Sequence, residues 1–200
     1  MINNDLLYYI PSGEFGKEGV LGLLKTHPEI RFVSLVGIDL AGNDTDEKVP
    51  IELFLKNYDD FFAGTAVQTD GSSVVLMNIA TLNDARVDMV ADASVNWYID
   101  YNEDNLYSNG RPVGTLRIPC FLLHNGKFID SRSILKESCA FVAEKLKGLL
   151  ASGKPVKGME DLPVDEIEDI KFTIGTELEF WVKTPSETET VQHLSISQRL

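Results

Sequence analysis

The chain has 200 residues, of which 44% are hydrophobic and 24% are charged, a balance typical of a globular protein with an ample core. Its net charge of −13 argues against nucleic acid and anionic membrane surfaces as partners. No segment approaches the length of a membrane span, and no signal-peptide pattern begins the chain, so we expect a cytoplasmic protein. Cys120 and Cys139 are then expected to be free thiols.

The first half of the chain alternates strand and helix patterns separated by turn residues. In order, we predict a helix over Lys17–Thr26, a strand over Arg31–Leu40, a turn at Ala41–Asp44, a strand through Val49, a helix over Ile51–Asn57, a loop over Thr69–Ser73, and strands over Val74–Ile79 and Asp88–Ala91. These elements indicate a small mixed sheet with one or two helices, extending to about Tyr101.

The second half begins after a polar connection at Asn102–Arg111. In order, we predict a strand over Leu116–Leu123, a hairpin turn at His124–Lys127, a short return strand at Phe128 and Ile129, a helix capped by Ser131 or Ser133 and ending near Gly148, an irregular segment over Leu149–Asp169, and a strand over Lys171–Val182. The helix would present Leu135, Cys139, Val142 and Leu146 on one face. Arg132 and Lys136, one helical turn apart, are expected on a solvated face.

Two glutamates on the last predicted strand are the strongest candidates for chemistry. Side chains along a strand alternate between faces, so Glu177 and Glu179 would point the same way, while Leu178 and Phe180 would face a core. Adjacent carboxylates repel each other, and a hard divalent cation such as Mg²⁺ or Mn²⁺ relieves that repulsion. From spacing alone, an edge strand whose polar face meets water is an equal alternative.

Four segments in order resemble motifs of the glutamine synthetase family. They look like its Asp-Gly-Ser-Ser signature, its downstream aspartate segment, its Asp-Pro-Arg-x-x-(Leu/Ala)-Lys helix start and its Gly-x-Glu-x-Glu-Phe metal strand. Here they are Asp70–Ser73, Asp88–Ser94, Asp130–Lys136 and Gly175–Phe180. Each segment is common by itself, and Asp-Gly-Ser-Ser alone would be an ordinary turn. Together they cover about Phe32 to Val182.

The resemblance implies an α+β fold. A β-grasp-like domain at 28–112 would follow an N-terminal extension at 1–27, and the start of an α/β catalytic domain of the synthetase type would occupy 113–200. The family's later metal ligands and nucleotide-binding segments have no counterpart in these 200 residues. We therefore expect the chain to be an N-terminal portion of a longer enzyme or a truncated gene product.

The resemblance also implies an activity and the residues that serve it. The family joins ammonia to glutamate at the expense of ATP, through a γ-glutamyl phosphate. Glu177 and Glu179 would bind Mg²⁺ or Mn²⁺, and no residue here is assigned to ATP itself. Asp70 and Ser73, with Asp88, would belong to the catalytic pocket, with Asp70 helping to deprotonate ammonium. The loop at Asp70 would serve a neighbouring subunit of a homo-oligomer.

Two other functions fit the same residues. A relative that ligates another amine, such as a γ-glutamyl-polyamine ligase, shares the metal strand, although an Asp70 that serves ammonium favours ammonia. A non-catalytic binding or assembly module could keep the fold without the activity. Further coding sequence beyond Leu200 with more glutamates and a metal histidine would favour the enzyme, whereas a stop codon would favour the module.

Overall fold

The fold is taken from a computed structural model of the chain, which describes residues 4–76, 85–154, 157–158, 167–175, 177, 179, 182–183 and 191–192. The chain divides into two compact units, Met1–Val142 and Ala143–Leu200. Within the described residues, no helix combines the length and the apolar character needed to cross a lipid bilayer.

The first unit is built on an eight-stranded sheet with short helices beside it. Its elements are β1 (Tyr9–Ile10), α1 (Lys17–Thr26), β2 (Ile30–Ile38), β3 (Asp44–Pro50), α2 (Ile51–Lys56), α3 (Tyr58–Ala63), β4 (Gln68–Asp70), β5 (Arg86–Ala91), β6 (Trp97–Leu106), β7 (Pro112–His124) and β8 (Lys127–Phe128). Helix α4 (Ser131–Ala151) begins in this unit and ends in the second. The α+β class predicted from the sequence is thereby confirmed.

Strand β7 organises the sheet. Its first half lies between β2, to which it is parallel, and β6, to which it is antiparallel. Its second half pairs with β5 and then with β8, which follows it through the turn at Asn125 and Gly126. The strand order is β1-β6-β7-β2-β3, with β4 joined through β5. The domain boundary predicted at residue 112 falls at the start of β7, inside the first compact unit, which extends to Val142. The division into domains stays a prediction.

One face of the sheet carries the core. The central strands present Val33, Leu35, Leu116 and Ile118, which are fully buried, and Phe54 of α2 is fully buried with them. Burying side chains of this size stabilises the fold by about 1.5–3 kcal/mol each. The opposite face of β2 and β7 is only partly covered, so the sheet has a core face and a second, more open face.

Several elements of the first unit match the predictions within a few residues, but strand β6 was not predicted, and it runs to Leu106 through the start of the polar connection expected at Asn102–Arg111 because β7 pairs with it there. Helix α1 has the predicted bounds, and the strands at Arg31–Leu40 and Asp88–Ala91 correspond to β2 and β5. Helix α3 was not predicted. It ends at Gly64, whose φ of +72° ends the helix in the left-handed conformation. Of the strand predicted at Val74–Ile79, residues 77–79 lie outside the described residues.

Helix α4 is capped differently from the prediction. Asp130, not Ser131 or Ser133, provides the cap: its Oδ1 accepts the backbone N–H of Ser133 at 2.8 Å, and its Oδ2 accepts the Ser133 hydroxyl and the Leu122 N–H. Asp130 is fully buried, and a carboxylate satisfies three donors where a hydroxyl would not. The helix also runs three residues past Gly148, because an exposed glycine weakens a helix without ending it.

In the second unit the structure contradicts the strand predicted over Lys171–Val182. Residues 171–175, 177 and 179 have no regular secondary structure, and Phe172 and Ile174 are exposed. Among the described residues that follow, Val182–Lys183 form β9, which is antiparallel to β10 (Val191–Gln192). A strand forms only where a neighbouring strand accepts its backbone hydrogen bonds, and none of the described residues offers one to 171–175.

Candidate functional site

The ladder of β4 and β5 brings two of the predicted site residues onto one face. Asp70 is paired with Arg86, and Gln68 is paired with Asp88. Paired residues project to the same side of a sheet, as do residues two apart along a strand, so Asp70 and Asp88 share a face. They are diagonal neighbours, which places their Cα atoms roughly 7–8 Å apart.

Arg86 stands between the two aspartates and pairs with one of them. Its Nε donates to Asp88 Oδ1 at 2.9 Å, with side chains 65% and 37% exposed. An exposed pair of this kind stabilises the fold by less than about 1 kcal/mol. The pair nevertheless compensates the charge of Asp88 locally, whereas Asp70 forms no ion pair with any of the described residues.

Asp70 forms the first residue of a tight turn. Its Oδ1 accepts the backbone N–H of Ser72 at 2.7 Å, and Gly71–Ser73 form one 3₁₀ turn. Hydrogen bonds from the Ser72 side chain and backbone lower the pKa of Asp70 from its usual 3.8, so the carboxylate is charged at neutral pH. Asp70 and Ser73 are both exposed, on the solvent side of the turn.

A buried carboxylate, Asp39, anchors the end of this turn. Asp39 is fully buried, and its Oδ2 accepts the backbone N–H of Val75 at 3.0 Å. Its Oδ1 accepts the N–H groups of Ala41 and Asn43 at 2.8 and 2.9 Å. Burial alone would raise the pKa of Asp39, but the hydrogen bonds from Asn43, Val75 and Ala41 outweigh it and hold the pKa below 3.8.

The two glutamates predicted to bind metal are distant from this ladder in the sequence. They belong to the second unit, whereas the ladder belongs to the first. Both Glu177 and Glu179 are exposed. Among the described residues there is no group of three or more histidine, cysteine, aspartate or glutamate side chains close enough to hold a metal ion. The metal role of the two glutamates therefore stays a prediction, as do the roles of Asp70, Ser73 and Asp88.

Two residues of this region were not among the predicted site residues. Arg86 precedes Asp88 by two positions, so strand alternation alone was enough to place it on the same face. Asp39 opens an Asp-x-x-Gly-Asn turn, a pattern that marks its local hydrogen bonds to Ala41 and Asn43. The contact between Asp39 and Val75 has no local signal, because it depends on the tertiary fold.

Arg132 also departs from expectation. It is not on a solvated face: its Nη2 donates to Asp92, which is 4% exposed, and its guanidinium lies 5.0 Å from the centre of the Phe121 ring. Burial alone would raise the pKa of Asp92. The hydrogen bonds from Ser94 and Arg132 outweigh burial and hold that pKa below 3.8. Lys136 is exposed, as predicted.

The first unit is thus an α+β unit that presents two carboxylates beside an exposed, anchored turn. No protein-family model matches the chain, and none of the curated proteins matches it. A solved structure that does match is the cryo-EM structure of Plasmodium falciparum glutamine synthetase, with 18% sequence identity and a TM-score of 0.45. The match covers 66% of this chain and 24% of that chain. This is a distant similarity in fold, and it assigns no role to any residue here.

Proposed function

We propose that this chain is the N-terminal part of an ATP-dependent ammonia ligase of the glutamine synthetase type. The observation that carries the proposal is the exposed Asp70 turn, whose carboxylate is charged and whose end is anchored by the buried Asp39. The turn bears the Asp-Gly-Ser-Ser sequence of that family and lies in order with the three other matching segments. The reaction would join ammonia to glutamate through a γ-glutamyl phosphate.

The arrangement of the first unit supports a β-grasp-like domain. Strands β2 and β3 form one antiparallel hairpin, β6 and β7 form another, and the two hairpins meet through the parallel pair β2 and β7. Helices α2 and α3 pack beside this sheet. Such a domain would carry the Asp70 turn at the end of β4.

The electrostatics of the ladder suggest different roles for its two aspartates. Asp70 holds its charge because Ser72 stabilises the carboxylate, and it therefore attracts a small cation such as ammonium. A carboxylate with a lowered pKa is a weak base, so taking a proton from ammonium requires Asp70 to give up a hydrogen bond from Ser72. Asp88 is held by Arg86 and would orient the pocket rather than accept the proton.

The proposed metal site rests on Glu177 and Glu179. Carboxylate oxygens suit Mg²⁺ or Mn²⁺, and both side chains are exposed and available. Two carboxylates supply fewer than the roughly six ligands of such an ion, so further ligands would come from ATP, water and other parts of the enzyme. When bound, the metal would neutralise charge on the transferring phosphoryl group.

Oligomerisation is part of the proposal. The Asp70 turn is exposed on its own unit, which suits a loop that completes the active site of a neighbouring subunit in a homo-oligomer. Glutamate, ammonium and ATP would then bind where the turn of one subunit meets Glu177 and Glu179 of the next.

The experiment is a pair of substitutions in the enzyme that contains this chain. Asp70→Asn keeps the Ser72 hydrogen bond, since an amide oxygen accepts it equally, but removes the negative charge. We expect ammonia-dependent glutamine formation to fall about a hundredfold or more, while γ-glutamyl phosphate formation survives better. The matched control is Asp44→Asn, an exposed aspartate at the start of β3. Equal losses in the two variants would refute the role of Asp70.

The same assay separates the alternatives. Faster turnover with a polyamine than with ammonia would favour a γ-glutamyl-polyamine ligase. Failure of the full reading frame to consume ATP with any amine would favour a non-catalytic module.

A further inference from the structure

The open face of the sheet carries a cleft that has no residue in common with the Asp70 turn. Its walls are formed by Val36 and Ile38 of β2, Pro119 of β7 and Tyr98 of β6, and Arg132 from the first turn of α4 lines its edge. All of these residues belong to the first unit. The register pairs Val36 with Pro119 directly, so the wall is continuous across the two central strands.

The cleft has the size and composition of a small-molecule site. Its volume is about 570 Å³, within the range typical of ligand pockets. Among the described residues that line it, most are apolar or aromatic, and the polar groups are the Arg132 guanidinium, the Asn96 amide and the Ser12 hydroxyl. An apolar wall with a cation at one edge suits a ligand that has an apolar body and an anionic end.

Arg132 has a hydrogen-bonding group left over. Nη2 donates to Asp92 and the guanidinium plane lies against Phe121, but Nη1 is buried without a hydrogen-bond partner among the residues that the structure describes. A buried unpaired donor costs about 1–3 kcal/mol, and native structures rarely leave one without a reason. Nη1 itself is buried while the Arg132 side chain as a whole is 31% exposed, so a ligand in the cleft would reach Nη1 only after the side chain rotates.

Asp92 makes this arrangement selective. Asp92 Oδ1 is already satisfied by the backbone and hydroxyl of Ser94, so Asp92 holds one edge of the guanidinium and leaves the other edge for a ligand. Because the pair is neutral overall, attraction for an anion is short-range and depends on geometry. A carboxylate, whose two oxygens match the spacing of guanidinium N–H groups, is favoured over a spherical anion.

We propose that this cleft binds a small organic carboxylate, with its apolar or aromatic body on Val36, Ile38, Pro119 and Tyr98 and its carboxylate on the free edge of Arg132. Such a ligand would bury the apolar wall and satisfy Nη1 at the same time. Arg132 lies in the matching segment Asp130–Lys136, but none of the residues of this site belongs to the Asp70 turn or to the predicted metal strand, which carry the proposed ligase chemistry.

The test uses 4-phenylbutyrate as the probe and 4-phenylbutyramide as its neutral counterpart of equal size. Binding is measured by calorimetry and by chemical-shift changes of the arginine Nε–H signals of the purified chain. We expect the carboxylate to bind roughly tenfold or more tightly than the amide, because hydrogen bonds to charged groups are the stronger ones. The Arg132 Nε–H signal should shift with the carboxylate only.

Two variants locate the site. Val36→Trp fills the cleft and leaves the Arg132 residue unchanged, and Phe32→Trp places the same side chain on the same face of β2 outside the described lining. Binding should be lost in the first variant and kept in the second. Should Val36→Trp fail to fold, Ser12→Trp fills the cleft from outside the regular elements.

A third variant tests the guanidinium. Arg132→Lys keeps a cation beside Asp92 but removes the forked donor, so the preference for carboxylate over amide should shrink by about tenfold. Lys136→Gln, one turn further along α4 and exposed, is the matched control and should change nothing. Equal affinity for acid and amide, unchanged binding in both cleft-filling variants, or no binding at millimolar probe would overturn the proposal.

Discussion

The carboxylate of Asp39 accepts the backbone N–H of Val75 at 3.0 Å, although 36 positions separate the two residues in the sequence. This contact joins the turn after β2 to the end of the Asp70 turn. Because Asp39 is fully buried and also holds Ala41 and Asn43, it links the end of the Asp70 turn to the interior, in addition to the pairing of β4 with β5 that holds the start of the turn.

The first prediction concerns that carboxylate. In Asp39→Asn, one oxygen is replaced by an amide group that cannot accept, so at least one of the N–H groups of Ala41, Asn43 and Val75 loses its partner. We expect the free energy of unfolding to fall by about 1–3 kcal/mol, measured by urea denaturation. Asp44→Asn, an exposed aspartate on the neighbouring strand, should change it by less than about 0.5 kcal/mol. Equal effects of the two substitutions would show that Asp39 is not an anchor.

The second prediction follows from the pKa values of three buried carboxylates. Burial raises the pKa of each, but hydrogen bonds and nearby cations hold Glu29 below 4.5 and Asp39 and Asp92 below 3.8. Because these folded-state pKa values are depressed, the unfolded chain binds more protons in acid. The stability they contribute is fully present above about pH 5 and is lost as the pH falls through 4 and below.

Urea denaturation from pH 7 to pH 3 measures that loss. The wild-type chain should lose stability steadily below about pH 4.5, and Asp39→Asn should lose less over the same interval because one titrating group is gone. A stability that stays constant down to pH 3 would contradict the depressed pKa values.

The third prediction compares two exposed glycines. Gly22 lies within α1 with open space where a Cβ would go, so Gly22→Ala should stabilise the chain by about 0.5–1 kcal/mol. Gly126 lies in the turn between β7 and β8 with a φ of +73°, and Gly126→Ala should destabilise it by about 1–2 kcal/mol. Thermal unfolding of the two variants should shift in opposite directions. Shifts of the same sign would contradict the assigned backbone conformations.

The fourth prediction concerns the chain by itself. A divalent ion held by two exposed carboxylates keeps most of its water, so the 200-residue chain should bind Mg²⁺ or Mn²⁺ only weakly and form no glutamine from glutamate, ammonium and ATP. Metal binding is measured by Mn²⁺ titration followed by water-proton relaxation. The ligase reaction is measured by a coupled assay for ADP release. Measurable glutamine formation by the 200-residue chain would contradict the proposal that activity requires further segments of the enzyme.

The sequence predicts the first unit well for a physical reason. The strands at β2 and β7 are mostly apolar and rich in Val, Leu and Ile, and Lys17–Thr26 has a helical pattern that stops before Pro28, so local chemistry and tertiary packing favour the same structure there. The prediction missed Asp130 as the cap of α4. Asp130 accepts the N–H of Leu122 as well as that of Ser133, and its contact with Leu122 on β7 depends on the tertiary fold.

The candidate site was predictable in part. The Asp70 turn is a local pattern, and the shared face of Asp70 and Asp88 follows once β4 and β5 are paired. The pairing itself could not be read from the sequence. The strand expected at Glu177 and Glu179 failed because apolar alternation predicts a strand only where a partner is present. The partly buried Arg132 was missed since its partners, Asp92 and Phe121, are distant in sequence.

The most direct test of the proposed function mixes two inactive variants of the enzyme that contains this chain. Asp70→Asn lacks the ammonium carboxylate, and Glu179→Gln lacks one metal ligand. If the turn of one subunit serves the metal site of the next, hybrid oligomers contain some sites with both residues intact. Random mixing should then restore about a quarter of the wild-type glutamine formation in a closed ring. Hybrids that assemble but remain as inactive as either parent would contradict a shared site built on Asp70.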